Sequence, residues 1–202
     1  MFVDIQQNSE SWFSLRAGKA TSSNFDKIMA NEGKAFGTPA IQYAQKIATE
    51  IVTGLRDERG FKGDYFEDGH RIEPIAIEAY EAHNFCEVTN GGFNDCGRYG
   101  DSPDGNVNPY GCIEVKGVIQ NTQWERLKKG GYQTAYKWQI QGHIWLGEKE
   151  WCDFISYCPE MPQSKQLYIF RVDRDDEMIE RMESRLKEFI KEVDQNVKIL
   201  KN

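Results

Sequence analysis

Ser102-Pro103-Asp104-Gly105 stands a short distance ahead of Glu114-Val115-Lys116. The first stretch is a turn that carries an acid; the second reads as part of a strand. Side chains alternate faces along a strand, so Glu114 and Lys116 point one way and Val115 the other. Cys112-Ile113 supplies an apolar lead-in, and Gly105, Asn106, Asn108, Pro109 and Gly111 are the residues of a tight connection between two strands. A hairpin of this kind can bring Asp104 beside Glu114 and leave Lys116 next to both. Two carboxylates then make an oxygen seat for Mg²⁺ or Mn²⁺, and the ammonium can hold a water or a phosphate oxygen, which is the layout of a metal-dependent phosphodiesterase. The spacing alone also fits ordinary turn chemistry followed by a solvated strand face with a weak ion pair.

Composition narrows the setting. At 202 residues, 39% hydrophobic and 28% charged, the chain is expected to form a single domain, 1–202, with a substantial core. No apolar run approaches a membrane span and the start, Met1-Phe2-Val3-Asp4, lacks signal-peptide architecture, so no membrane association and a cytoplasmic location are the default expectations. The five cysteines form no Cys-x-x-Cys pair, which argues against a zinc ribbon, a redox dithiol or an iron–sulfur site; they read as reduced, mostly buried thiols. His70, His83 and His143 match no zinc-ligand spacing and are assigned structural or surface roles. A net charge of −7 argues against a protein that coats DNA, though not against an enzyme that acts on it.

Two short helices are predicted within 9–30, the first capped by Ser9 and the second by Ser22 or Ser23. Thr38-Pro39 should open a helix, with Thr as cap, whose stripe is Ile41, Ala44, Ile47, Ala48, Ile51 and Val52 and whose stop is Gly54. A polar loop over 55–63 and a helix over 65–82, with a kink expected at Pro74 inside it, follow. Strands are expected over 85–93 and 97–101, then the hairpin, a helix over 122–128 ended by Gly130-Gly131, a helix over 133–146, and strands over 150–158 and 166–172. A long amphipathic helix from about 175 carries Met178, Met182, Leu186, Phe189, Val193, Val197 and Leu200 on one face. Helices, then strands, then both suit an α/β domain with a mixed sheet flanked by helices: a helical part over about 9–83, sheet and helices over about 84–172, and a terminal helix over about 175–201.

Four separated motifs make the chain resemble the lambda-exonuclease-type viral recombinases, the YqaJ-like family of the PD-(D/E)xK nuclease superfamily. They are Trp12-Phe13-Ser14-Leu15-Arg16 with Thr21-Ser22-Ser23; Gly69-His70-Arg71-Ile72-Glu73-Pro74; the Ser-Pro-Asp-Gly…Glu-Val-Lys core; and Tyr136-Lys137-Trp138-Gln139-Ile140-Gln141 with the strand after it. The resemblance implies a restriction-endonuclease-like core. It implies that Asp104, Glu114, the Val115 carbonyl and Glu73 hold metal, Mg²⁺ with Mn²⁺ as substitute, at two ions per site. Catalytic roles fall on Glu73, Asp104, Glu114, Lys116 and Gln139, while Gln141, facing elsewhere on the helix, is structural or touches DNA. Arg16 and Ser23 are implied to hold a 5′-phosphate, consistent with the planar fork of arginine and a hydroxyl at a helix start. Gly117-Val118 departs from the pair often found after the lysine and is expected to alter the exit of the strand.

The activity so implied is Mg²⁺-dependent 5′→3′ digestion of double-stranded DNA from its ends to 5′-mononucleotides. It leaves 3′ single strands for an annealing recombination partner and is carried out by a ring-shaped homotrimer of phage or prophage origin. Two other readings are an endonuclease on the same fold, structure-specific or restriction-like, and a catalytically silent protein that binds DNA ends.

Overall fold

The computed structural model describes residues 1–56 and 64–202, with side chains described outside 57–70. In chain order its elements are β1 (Phe2–Val3), α1 (Glu10–Arg16), β2 (Ala20–Thr21), a 3₁₀ turn (Ser22–Asn24), α2 (Phe25–Met29), α3 (Thr38–Thr53) and α4 (Asp64–Asn84). Next come the short strands β3 (Thr89–Asn90), β4 (Phe93–Asp95), β5 (Tyr99–Asp101) and β6 (Gly105–Val107), then β7 (Gly111–Gly117) and α5 (Gln120–Lys129). A second 3₁₀ turn (Thr134–Tyr136) leads into α6 (Lys137–Leu146), followed by β8 (Trp151–Tyr157), α7 (Gln163–Gln166), β9 (Leu167–Asp173) and α8 (Asp176–Lys201).

Around β7 the hairpin forms as its turn residues require: β6 pairs antiparallel with β7, Gly105 opposite Ile113, and Asn108 takes the left-handed conformation at φ 53°. β7 then pairs in parallel with β8, which needs a long crossover, supplied by α5 and α6. β9 adds antiparallel to β8, giving the order β3-β6-β7-β8-β9 in a mixed five-stranded sheet. A smaller sheet, β1-β4-β5-β2, sits beside it in the fold.

Alternation along β7 divides the helices between the two faces of the larger sheet. Ile113 and Val115, with Ile155 and Tyr157 of β8, bury against Ile72, Ala76 and Tyr80 of α4. Cys112, Cys152 and Phe154 bury against Ile140 and Ile144 of α6. Gly117 lets α4 approach: a Cβ there would lie 3.1 Å from Ile72, which gives the departure at Gly117 a packing reason. A third cluster joins α2, α3, α6 and α8 through Phe25, Ile28, Tyr43, Ile47, Leu186 and Phe189.

Several expected boundaries shift. The strand expected over 85–93 is divided at Gly91-Gly92 into β3 and β4, which join different sheets. Gly91 allows that division, because a Cβ there would meet the Pro103 carbonyl oxygen at 1.8 Å. Ser9 caps α1 by accepting from the Trp12 amide, but neither Ser22 nor Ser23 caps α2; they lie in the 3₁₀ turn, and the Ser22 hydroxyl donates to Asp101. α3 begins at Thr38 with Gly37 as its cap, α5 begins at Gln120, and the helix expected over 133–146 opens with a 3₁₀ turn. The buried stripe of α3 is Ala40, Tyr43, Ala44, Ile47 and Ala48; Ile41 and Ile51 are exposed, as is Leu200 on α8. Most of the loop expected over 55–63 lies outside the described residues, and so does the side chain of His70. All five cysteines are free, and no helix among the described residues is long and apolar enough to cross a membrane.

Candidate active site

Glu114 and Lys116 project from β7 toward α6. Glu114 is buried and Lys116 partly open, and the ammonium hydrogen-bonds Oε1 of the carboxylate. Gln139 Nε2 donates to the same oxygen at 2.8 Å. The other oxygen, Oε2, lies 2.7 Å from Nε2 of His143. Gln139 and His143 are four apart on α6 and so share a face. Gln141 faces elsewhere: its amide donates to the Asp173 carbonyl at 2.8 Å and its Oε1 accepts from the Asp175 amide at 3.0 Å, tying α6 to the start of α8. Of the two glutamines, Gln139 is therefore the one at the site, and Gln141 is structural.

Asp104 enters from the turn before β6. Its Oδ2 accepts from the Val115 amide at 2.6 Å, which fixes the acid alongside β7. Loss of water raises the Asp104 carboxyl well above the usual carboxylate range, and the charges of Glu114 and Glu73 add to the rise. Glu73 thus acts on Asp104 from α4, on the opposite face of the sheet from Gln139. Burial would raise Glu114 as well, but Lys116 and His143 outweigh it and hold that carboxyl below its ordinary range. Lys116 is raised in return: burial opposes its charge, while Glu114 and Asp104 favour it more strongly. Its Nζ also lies 5.1 Å from the centre of the Tyr136 ring.

No group of three His, Cys, Asp or Glu side chains among the described residues is drawn together tightly enough to hold a metal ion as it stands. The donor chemistry nonetheless fits a hard divalent cation. Glu73, Asp104 and Glu114 offer only oxygen, and both the burial that raises the Asp104 carboxyl and the added repulsion from Glu114 and Glu73 are what such a cation offsets.

The N-terminal motif adjoins this site. Trp12 Nε1 donates to the Ser102 hydroxyl at 2.9 Å, and Gln7 Nε2 donates to the Pro103 carbonyl at 2.7 Å, so both steady the turn that carries Asp104. The Arg16 guanidinium stacks on Trp12, 4.1 Å from the ring centre. It lines a cavity of about 80 Å³ together with Lys19, Thr21, Lys46 and Arg56. Burial lowers the Arg16 pKa, while Tyr43 and Asp101 oppose that shift. Ser23 is not among the lining residues: it is exposed, with Oγ 3.3 Å from Oγ1 of Thr21, which does line the cavity.

Sequence reasoning missed Asp101 and His143. Both are fully buried, with Nδ1 of His143 2.6 Å from Oδ1 of Asp101. The spacing of His143 from Gln139 was a usable signal. Nothing local ties His143 to Asp101, because they lie 42 residues apart and meet only in the fold. Burial would lower the imidazole pKa, but the flanking Asp101 and Glu114 carboxylates hold it well above the ordinary histidine range.

A family model for the YqaJ-like viral recombinase domain matches residues 11–150. An alkaline exonuclease (LHK-Exo) from Laribacter hongkongensis is similar in structure, with 28% identity and a TM-score of 0.87 over 96% of each chain; its complex with dAMP matches to the same degree. A phage related exonuclease from Haemophilus somnus 129PT, 17% identical with a TM-score of 0.71 over 90% of this chain and 96% of that one, is alike in fold. These likenesses agree with the restriction-endonuclease-like core expected around the mixed sheet. No curated protein matches the sequence.

Proposed function

Because the chain belongs to the YqaJ-like viral recombinase domain family, we propose that it is a Mg²⁺-dependent exonuclease that digests double-stranded DNA from 5′ ends. It releases 5′-mononucleotides and leaves 3′ single strands for an annealing recombination protein. The observation that carries this reading is the convergence around the central strand β7 of Asp104, Glu114, Lys116 and Gln139, with Glu73 acting on Asp104 from α4. The likeness to an exonuclease at 28% identity over nearly the whole chain supports it.

Asp104, Glu114, the Val115 carbonyl and Glu73 would hold the Mg²⁺, with Mn²⁺ as substitute and two ions per site. When bound, the ions supply charge neutralisation and a more acidic water for hydrolysis. The chain's own groups do the rest. The Val115 amide orients Asp104, and Gln139 keeps Oε1 of Glu114 in place while the Lys116 ammonium turns to the incoming water oxygen and the charge that grows on the phosphate. Water oxygen bonds to phosphorus, the bond from phosphorus to the 3′ oxygen breaks, and that oxygen takes a proton as it leaves. Arg16, with Ser23 near the same cavity, would hold the 5′-phosphate and set the end of the strand at the site.

Linear duplex labelled separately at its 5′ and 3′ ends, incubated with and without Mg²⁺, tests the reading. Early release of the 5′ label only with Mg²⁺ is expected, and closed circular duplex should stay intact. Nicking of the circle would assign an endonuclease instead. End binding without release of any nucleotide would assign a silent end-binding protein.

A further inference from the structure

Behind Glu114 lies a chain of buried polar side chains to which the chemistry above gives no part. The Ser22 hydroxyl donates to Oδ1 of Asp101; the same oxygen lies 2.6 Å from Nδ1 of His143; and Nε2 of His143 lies 2.7 Å from Oε2 of Glu114. None of the four residues is more than 2% exposed. They come from four different places: the 3₁₀ turn, β5 of the small sheet, α6, and β7 of the large sheet. Asn94 adds a longer contact of 3.4 Å to Oδ2 of Asp101. The close approach this needs is provided at Gly142, where a Cβ would lie 3.0 Å from Cβ of Ser22 and 3.1 Å from the Phe25 ring.

The two oxygens of Glu114 are therefore divided. Oε1 faces Lys116 and Gln139, toward the partly open side; Oε2 is turned inward to His143. A glutamate side chain has several rotatable bonds; Lys116 of β7 and Gln139 of α6 hold Oε1, and the rotation that turns Oε2 inward is met there by the His143 imidazole. The imidazole can hold that rotation only if its ring is fixed, and Asp101, steadied by Ser22, fixes it. A partner that orients a liganding side chain from behind typically governs affinity at such sites.

We propose that Ser22, Asp101 and His143 are positioning residues for Glu114, committing Oε2 to the interior so that Oε1 is presented to the cation in one fixed direction. The proposal rests on the metal-holding role of Glu114 given above, so its test must separate the two.

The test is calorimetric titration of the full chain with Mn²⁺, well below the melting temperature, for Glu114→Gln, Asp101→Asn and His143→Ala, alongside kcat and KM on linear duplex. Glu114→Gln is expected to lose Mn²⁺ binding. Folded Asp101→Asn and His143→Ala are expected to bind Mn²⁺ roughly 10- to 100-fold more weakly, the usual cost of losing such a partner, with kcat lowered and KM for DNA unchanged. A merely structural role would leave the affinity of the folded protein as it was. Wild-type Mn²⁺ affinity in Glu114→Gln would overturn the role of Glu114, and the positioning proposal with it. Loss in Glu114→Gln but wild-type affinity in the other two would overturn the positioning alone. If His143→Ala does not fold, Asp101→Asn decides. If Asp101→Asn does not fold either, the chain supports the fold rather than the orientation of Glu114, and the proposal fails.

Discussion

Asp104 and Glu114 illustrate how different surroundings separate two acids of one site. Glu114 is surrounded by cationic or donating partners, Lys116, Gln139 and His143, and is held ionised; for Asp104, burial and the charges of Glu114 and Glu73 outweigh Lys116 and the Val115 amide and push it toward its neutral form. Asp104→Asn and Glu114→Gln keep shape and remove a charge, so each should abolish cleavage while the far-ultraviolet circular dichroism stays native. Cleavage at the wild-type rate at ordinary Mg²⁺ by either variant would exclude the assignment. Lys116→Ala should part from both, because the ammonium is not a ligand and Gln139 still holds Oε1. Metal should bind, while single-turnover cleavage falls on the order of 10²–10³-fold, as when one donor to a developing oxyanion is lost. At the cavity beside this site, wild type should prefer 5′-phosphate over 5′-hydroxyl ends and Arg16→Ala should narrow the preference. Equal wild-type rates on the two ends would remove the phosphate role of Arg16.

Among the elements, short connections place the acids as much as the strands do. The turn with Asp104 is held from outside by Trp12 on α1, by Gln7 before it, and by the close pass of Gly91. Gly91→Ala would force a methyl group against the Pro103 carbonyl, a backbone atom that cannot swing away. The turn must then move, so kcat should drop well before the fold is lost; thermal melting together with initial rates on linear duplex reads the two apart. α8 contributes stability from the other side. Phe189 is fully buried, stacks on Tyr43 at 5.7 Å and meets Phe36 edge-on at 5.8 Å. Phe189→Ala should cost about 3–5 kcal/mol in urea unfolding, the range for large buried aromatics, and leave the cleavage site chemically intact. A loss under about 1 kcal/mol would mean that α3 and α8 close over the cavity.

Across the whole molecule, the net charge of −7 bears on how the proposed exonuclease would hold DNA. Backbone affinity depends on the phosphates a protein neutralises, so one acidic subunit should hold duplex weakly at physiological salt. A ring-shaped homotrimer would retain the duplex by enclosing it, with lysine and arginine side chains turned to the channel and the acidic surplus outside; closed symmetry is also the usual form of soluble oligomers. Light scattering at the concentrations used for activity should give three times the monomer mass of 23.3 kDa. A monomer mass together with long processive digestion would require another clamp.

What the sequence determined by itself was whatever depends on near neighbours. The hairpin of β6 and β7, the shared face of Glu114 and Lys116, the Gly54 stop, the Ser9 cap and the amphipathic α8 all follow from period, turn residues and caps, which act over a few residues. The limits of the short strands did not follow, because β3 and β4 owe their separation to a loop that passes Gly91 from elsewhere in the chain. Nor did the Ser22–Asp101–His143–Glu114 chain: each member reads as an ordinary cap, strand end or helix residue, and only burial of four distant segments together brings the Ser22 hydroxyl, Oδ1 of Asp101, the His143 ring and Oε2 of Glu114 into contact. Local chemistry chose the elements, and the cost of burying unpaired polar groups decided how they meet around Glu114.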